Sequence, residues 1–199
     1  MRTMRIDAQG LLVGGEYIPS PNCDDRPTGA IELLVIHNIS LPPGEFGGDG
    51  VQRLFTNTLN VRDHPYYQAI AGLEVSAHFF VRRDGQIIQF VSCLKRAWHA
   101  GVSCWQGGSR CNDFSVGIEL EGTDTVPFTD AQYDALHRLT MALRAAYPIR
   151  SIAGHSDIAP QRKTDPGPHF DWLRYLAGLS GCRQRTTATT MPSALPHES

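Results

Sequence analysis

The run Ile31-Glu-Leu-Leu-Val-Ile36 is short, almost wholly apolar and rich in branched side chains, and His37 follows it directly. A run of that length and composition, flanked by sequence rich in Gly, Pro and Asp, reads as a buried β-strand. It needs a sheet around it, and the rest of the chain supplies candidates. Val75–Val81 and Gln86–Val91 are β-prone, and Asp84-Gly85 between them signals a hairpin turn. Val116, Ile118 and Leu120 alternate with Gly117, Glu119 and Glu121, which predicts a half-buried strand with two carboxylates on its other face.

Helices are expected around these strands. Thr129 with Gln132 three residues later has the form of a capping box. Tyr133, Leu136, Leu139, Leu143 and Ala146 then recur at helical spacing and stop before Pro148. Val51–Leu59 predicts a short helix, and Phe170, Leu173 and Leu176, with Trp172 beside them, a final one. Residues 40–50 carry too many Gly and Pro for regular structure and read as a functional loop, a binding rim or lid. The expectation is an α/β fold, a single domain over residues 1–180 whose mixed central β-sheet is flanked by helices. Residues 181–199, dominated by Thr, Ser and Pro toward the end, read as a disordered tail.

The 199 residues suit one domain with a proper core. With 18 basic and 20 acidic residues the net charge is -2, so no basic field points to nucleic acid. No apolar run reaches the length of a membrane span, and Met1–Gly10 lacks the apolar stretch of a secretory signal. The expected location is the cytoplasm. Cys23, Cys93, Cys104, Cys111 and Cys182 are odd in number and form no CxxC pair, so free thiols are expected. A cysteine zinc site on Cys104 and Cys111 lacks the close spacing such sites use. Nothing calls for an obligate protein partner.

His37, His155 and Asp165 are the candidates for chemistry. Two imidazoles and a carboxylate can hold zinc and leave its fourth position open. Each has a plain alternative. His37 would serve as a core histidine closing a strand, His155 lies on a turn after Ala153-Gly154, and Asp165 in Thr-Asp-Pro-Gly would start a turn. Spacing alone does not bring them together.

Longer stretches go further. Val35-Ile-His-Asn-Ile-Ser-Leu-Pro-Pro-Gly-Glu-Phe-Gly-Gly48, Val75-Ser-Ala-His78, Arg96-Ala-Trp-His-Ala-Gly101, Arg110–Gly122 and Gly154–Pro168 resemble the zinc N-acetylmuramoyl-L-alanine amidases, a family that includes phage lysozyme-amidases and peptidoglycan recognition proteins. The resemblance runs from about Gly10 to Leu176 and is closest to the branch that acts on anhydro-muropeptides in cell-wall recycling. It implies zinc as cofactor, His37, His155 and Asp165 as its ligands, and a small-molecule muropeptide as substrate. The Asp is informative, because phage members carry Cys at the third position. They also carry Tyr where this chain has Ala77, which leaves more of the proton handling to Glu119.

Under that resemblance Glu119 is the general base and Lys163 stabilises the oxyanion, while Glu121 is structural. Asn38 is expected to bond the substrate amide. Arg82 and Arg110 are candidate clamps for stem-peptide carboxylates. Trp98 and His99 are candidates for the sugar side, and His78 is expected to be packed. The implied reaction is hydrolysis of the amide between anhydro-N-acetylmuramic acid and L-alanine. Its rivals are a non-catalytic muropeptide-binding module, a broader amidase of intact peptidoglycan and a zinc peptidase cutting within the stem peptide. The implied regulatory consequence, control of β-lactamase through muropeptide build-up, leaves no trace in the residues.

Overall fold

A computed structural model describes residues 4–27, 29–177 and 179. In chain order its elements are β1 (Glu16–Tyr17), β2 (Cys23–Asp25), β3 (Leu33–Ile39), α1 (Gly50–Phe55), α2 (Pro65–Ala69), β4 (Phe79–Val81) and β5 (Ile87–Gln89). There follow β6 (Lys95–Ala97), β7 (Cys104–Trp105), β8 (Gly108–Ser109), β9 (Ser115–Glu121), α3 (Asp130–Ala146), β10 (Ser151–Gly154), α4 (His155–Ile158) and α5 (Trp172–Leu176). A single 3-10 turn, Cys111–Asp113, leads into β9.

The main sheet has the order β1-β5-β4-β9-β3-β10. β10, β3, β9 and β4 run parallel, β5 is antiparallel to β4, and β1 is parallel to β5. This is the mixed sheet with flanking helices that the sequence predicts, and most of its strands are parallel. Register places Val35, His37 and Ile39 beside Gly117, Glu119 and Glu121. Registered neighbours present their side chains to the same face of a sheet. Leu34, Ile36, Val116, Ile118 and Leu120 occupy the other face, where they pack with Leu136, Leu139 and Leu143 of α3.

α3 begins as its sequence requires. Thr129 Oγ1 accepts from the Gln132 amide at 3.2 Å and Gln132 Oε1 accepts from the Thr129 amide at 3.1 Å. The hairpin also forms, with Gly85 at φ 85° between β4 and β5, but its strands are shorter than the apolar runs.

Four readings are corrected. β3 continues to Ile39, so His37 lies inside the strand and not at its end. β9 is buried on both faces, with Glu119 9% and Glu121 4% exposed, because it runs between β3 and β4 under cover on each side. The final short helix forms as α5, but Leu173 is 87% exposed and the segment packs through Phe170 and Tyr175. α1 ends at Phe55, short of Leu59. β10 and α2 carried no clear pattern in the sequence. The boundary at 180 and the tail beyond it lie outside the described residues.

Candidate active site

His37 and Glu119 are paired residues on neighbouring parallel strands, and His155 is the first residue after β10, on the other edge of β3. All three lie toward the C-terminal ends of parallel strands, where α/β sheets open to ligands. Asp165 reaches them by a close return of the chain. The Ser156 amide donates to the Asp165 carbonyl at 2.9 Å, and a Cβ on Gly154 would fall 2.8 Å from Pro166 Cδ. Gly154 therefore lets the segment after Asp165 lie against the residue that precedes His155.

The three side chains converge. His37 Nδ1 is 2.9 Å from His155 Nδ1, and Asp165 Oδ2 is 3.1 Å from each of them. His155 Nε2 lies 3.1 Å from the Ala100 carbonyl, which only accepts. A neutral His155 therefore carries its proton on Nε2 and turns a lone pair toward His37 and Asp165. Burial holds the His37 imidazole neutral, its pKa down to about 4 despite the raising influence of Asp165. Burial pushes Asp165 the other way, yet its bonds to His155 and His37 outweigh that and hold it below the usual carboxylate range. Lone pairs facing one another at these distances repel unless a cation lies between them. Two imidazole nitrogens and one carboxylate oxygen are a donor set that zinc accepts. The residues fit a metal ion, and no other metal-ligating cluster of three or more occurs among the described residues.

A cleft of about 270 Å³ opens over this cluster. Asn38, Glu119, His155, Lys163 and Asp165 line its polar side, and Leu41, Phe55, Ile70 and Trp98 are among its apolar lining. Glu119 Oε2 is buried with no hydrogen-bond partner among the described residues. Burial raises the Glu119 pKa well above the usual carboxylate value, Asp165 adds to the rise, and Lys163 opposes it. An orphaned carboxylate with a raised pKa inside a cleft has the properties of a general base. A larger hollow of about 680 Å³, lined in part by Glu32, Trp105, Phe114 and Arg150, lies at the N-terminal ends of β3 and β10 and carries none of these groups.

The remaining candidates divide. Asn38 lines the cleft and its Nδ2 donates to Asp124 Oδ1 at 2.7 Å. Trp98 and His99 line it too, but both ring nitrogens of His99 are engaged, Nδ1 by His37 at 2.9 Å and Nε2 by Ser115 Oγ at 3.1 Å. Arg82 and Arg110 are not among the lining residues. Arg82 donates to Gln52 Oε1 at 3.2 Å, and Arg110 pairs with Asp113 at 3.3 Å. Glu121 is tied down, accepting from the Gly47 and Arg83 amides, which anchors the loop at 40–50 to the sheet. His78 is wholly buried and its Nδ1 accepts from the Gly117 amide at 3.0 Å. Sequence reasoning missed Asn112, whose Oδ1 accepts from the Ala100 amide at 2.8 Å, and Arg162, which donates to the Ala100 carbonyl at 2.7 Å. Only Gly117 within β9 hinted at a close approach nearby, that of the His99 ring.

A family profile described as N-acetylmuramoyl-L-alanine amidase matches residues 27–168. The chain is 59% identical to the 1,6-anhydro-N-acetylmuramyl-L-alanine amidase AmpD of Escherichia coli K12, over 86% of this chain and 96% of that protein. It superposes on the crystal structure of a selenomethionine AmpD derivative with a TM-score of 0.85 at 57% identity, covering 87% of this chain and 98% of the other. It is also similar to the Escherichia coli amidase AmiD, in complex with anhydro-N-acetylmuramic acid-L-Ala-D-γ-Glu-L-Lys, at a TM-score of 0.56 and 29% identity, covering 90% of this chain and 67% of that one. With its fold, its three converging side chains and these likenesses in agreement, the chain belongs to the N-acetylmuramoyl-L-alanine amidase family.

Proposed function

We propose that this chain is a zinc-dependent amidase that hydrolyses the amide between 1,6-anhydro-N-acetylmuramic acid and the L-alanine of muropeptides. The observation that carries this reading is the convergence of His37 Nδ1, His155 Nδ1 and Asp165 Oδ2, none more than 3.1 Å from the next, beside Glu119, whose Oε2 has no hydrogen-bond partner among the described residues. Likeness over most of the chain to an amidase named for this bond supports the substrate.

His37, His155 and Asp165 would hold the zinc ion. When bound, zinc supplies Lewis acidity toward the scissile carbonyl and toward water. Glu119 takes the proton from the attacking water. Burial raises its pKa, which strengthens its hold on that proton until it is returned to the departing alanine nitrogen. Lys163, on the polar side of the same cleft, places a cation where negative charge develops on the carbonyl oxygen. Asn38 commits Nδ2 to Asp124, so its Oδ1 is the atom assigned to accept from a peptide N–H. Trp98 offers an apolar face to the sugar. Carboxylates farther along the stem peptide are assigned to Arg82 and Arg110, an assignment that requires the ligand to extend beyond the cleft lining.

The reading includes action in the cytoplasm. Cys23, Cys93, Cys104 and Cys111 are free thiols, which suits a reducing compartment. No helix among the described residues is long and apolar enough to cross a membrane.

The test is mass spectrometry of products from anhydro-muropeptide. Release of anhydro-sugar and intact stem peptide, stopped by a chelator and restored by zinc, is expected. No cleavage by zinc-loaded protein, with muropeptide still bound, would replace the enzyme by a binding module.

A further inference from the structure

His37 and His155 do not orient themselves. The free nitrogen of each ring is met by the same dipeptide. His37 Nε2 meets the His99 side chain at 2.9 Å, and His155 Nε2 meets the Ala100 carbonyl at 3.1 Å. Asn112 Oδ1 accepts from the backbone amides of both, at 3.3 Å from His99 and 2.8 Å from Ala100. The Ala100 carbonyl only accepts, so it fixes the proton of a neutral His155 on Nε2, and His99 Nδ1 offers His37 Nε2 a partner for the same arrangement.

The proton pattern closes without conflict. For His37 to present a lone pair at Nδ1, its Nε2–H must donate to His99 Nδ1. His99 then carries its own proton on Nε2 and donates it to Ser115 Oγ at 3.1 Å. The His99 ring occupies the place of a missing side chain. A Cβ built on Gly117 would lie 2.5 Å from His99 Cγ and 2.6 Å from its Nδ1. Those are atoms near the root of the imidazole, and they cannot swing aside as the end of a long chain would. Any residue but Gly at 117 displaces the ring that holds His37.

We infer that His99 is a positioning residue for the metal centre, seated by Gly117 and acting through His37, and not a contact for the sugar. The inference rests on the reading of His37, His155 and Asp165 as metal ligands. Outer-shell acceptors of this kind typically set metal affinity by about 10- to 100-fold.

The experiment measures zinc affinity by chelator competition and the visible spectrum of the cobalt-substituted protein. It uses wild type, His99→Leu, His99→Asn and Gly117→Ala. Leu removes the acceptor, whereas Asn keeps an oxygen near the position of Nδ1. The expected result is a loss of about 10- to 100-fold in zinc affinity and an altered cobalt spectrum for His99→Leu, with substantial recovery in His99→Asn. Gly117→Ala should show the same loss with His99 intact, and it decides the matter if the Leu variant does not fold. Wild-type zinc affinity and spectrum in both His99→Leu and Gly117→Ala would overturn the inference alone. A raised KM for muropeptide with unchanged metal binding would return His99 to the sugar side. Failure of the wild type to bind zinc would overturn this inference together with the metal centre.

Discussion

Glu119 and Glu121 lie two residues apart on one face of β9, both buried, and the fold treats them oppositely. Glu121 accepts from two backbone amides and joins the loop at 40–50 and the turn after β4 to the sheet. Glu119 has an oxygen with no partner among the described residues and lines the cleft beside His155 and Asp165 of the three converging side chains. A buried carboxylate that is satisfied stabilises the native state. One that is not satisfied costs stability and is retained for chemistry. The end of β9 is thus divided into an anchored region at 121 and, at 119, a region that the proposed mechanism uses.

The division is tested most severely at the proposed ligands. His155→Ala should remove stoichiometric zinc and abolish turnover, as read by metal analysis and product formation. The fold should persist, because β10 and α3 pack through other residues. Full zinc occupancy in this variant would take His155 out of the ligand set.

Glu119→Gln should keep zinc and lose about 100- to 10,000-fold in kcat. It should also raise the Tm of the metal-free protein. The native pKa of Glu119 is raised, so the folded state binds more protons than the unfolded state between the ordinary carboxylate pKa and the raised one. Stability contributed by this group falls as pH rises through that window, and Gln removes the fall. Ionisation of Glu119 should set the acid limb of kcat/KM, because only the ionised carboxylate accepts a proton. Lys163→Ala should lose about 100- to 1,000-fold in kcat with smaller changes in metal affinity.

Glu121→Gln should invert this pattern. Its amide group would turn N–H toward a backbone N–H, at a cost of about 1–3 kcal/mol. That lowers Tm, at roughly 2–4 °C per kcal/mol for a domain of this size, while zinc affinity holds. A Glu121→Gln protein with wild-type Tm and impaired metal binding would erase the distinction between the regions.

The sequence made the division only partly legible. The alternation in Val116–Glu121 located both carboxylates on one face, but it described that face as half-buried. Periodicity reports which residues differ along a strand and not what covers them, and here flanking loops and helices bury the polar face as well. The amphipathic helix at α3 was readable because its period and cap are local. The meeting of His37, His155 and Asp165 was not, since it depends on β10 lying beside β3 and on the close return at Gly154. Resemblance supplied that grouping. The service of His99 and Ala100 to the two histidines lay beyond both routes, because one of its contacts is a backbone carbonyl that no side-chain motif encodes.

The smallest expected effect is at Thr129, and it shows how far the anchored region extends. Thr129 caps α3, and its hydroxyl also donates to the Arg83 carbonyl at 2.6 Å. Gln132, its partner in the cap, donates to the Glu121 carbonyl at 2.9 Å. The cap is therefore part of the network that holds Glu121, on the side of β9 away from the proposed ligands. Thr129→Ala should cost about 1 kcal/mol, within the range for lost N-caps, and Thr129→Ser should recover most of it. Zinc affinity and kcat should be unchanged in both. If Thr129→Ala weakened zinc binding while Thr129→Ser restored it, the cap would be coupled through β9 to the ligands, and the two regions would act as one unit.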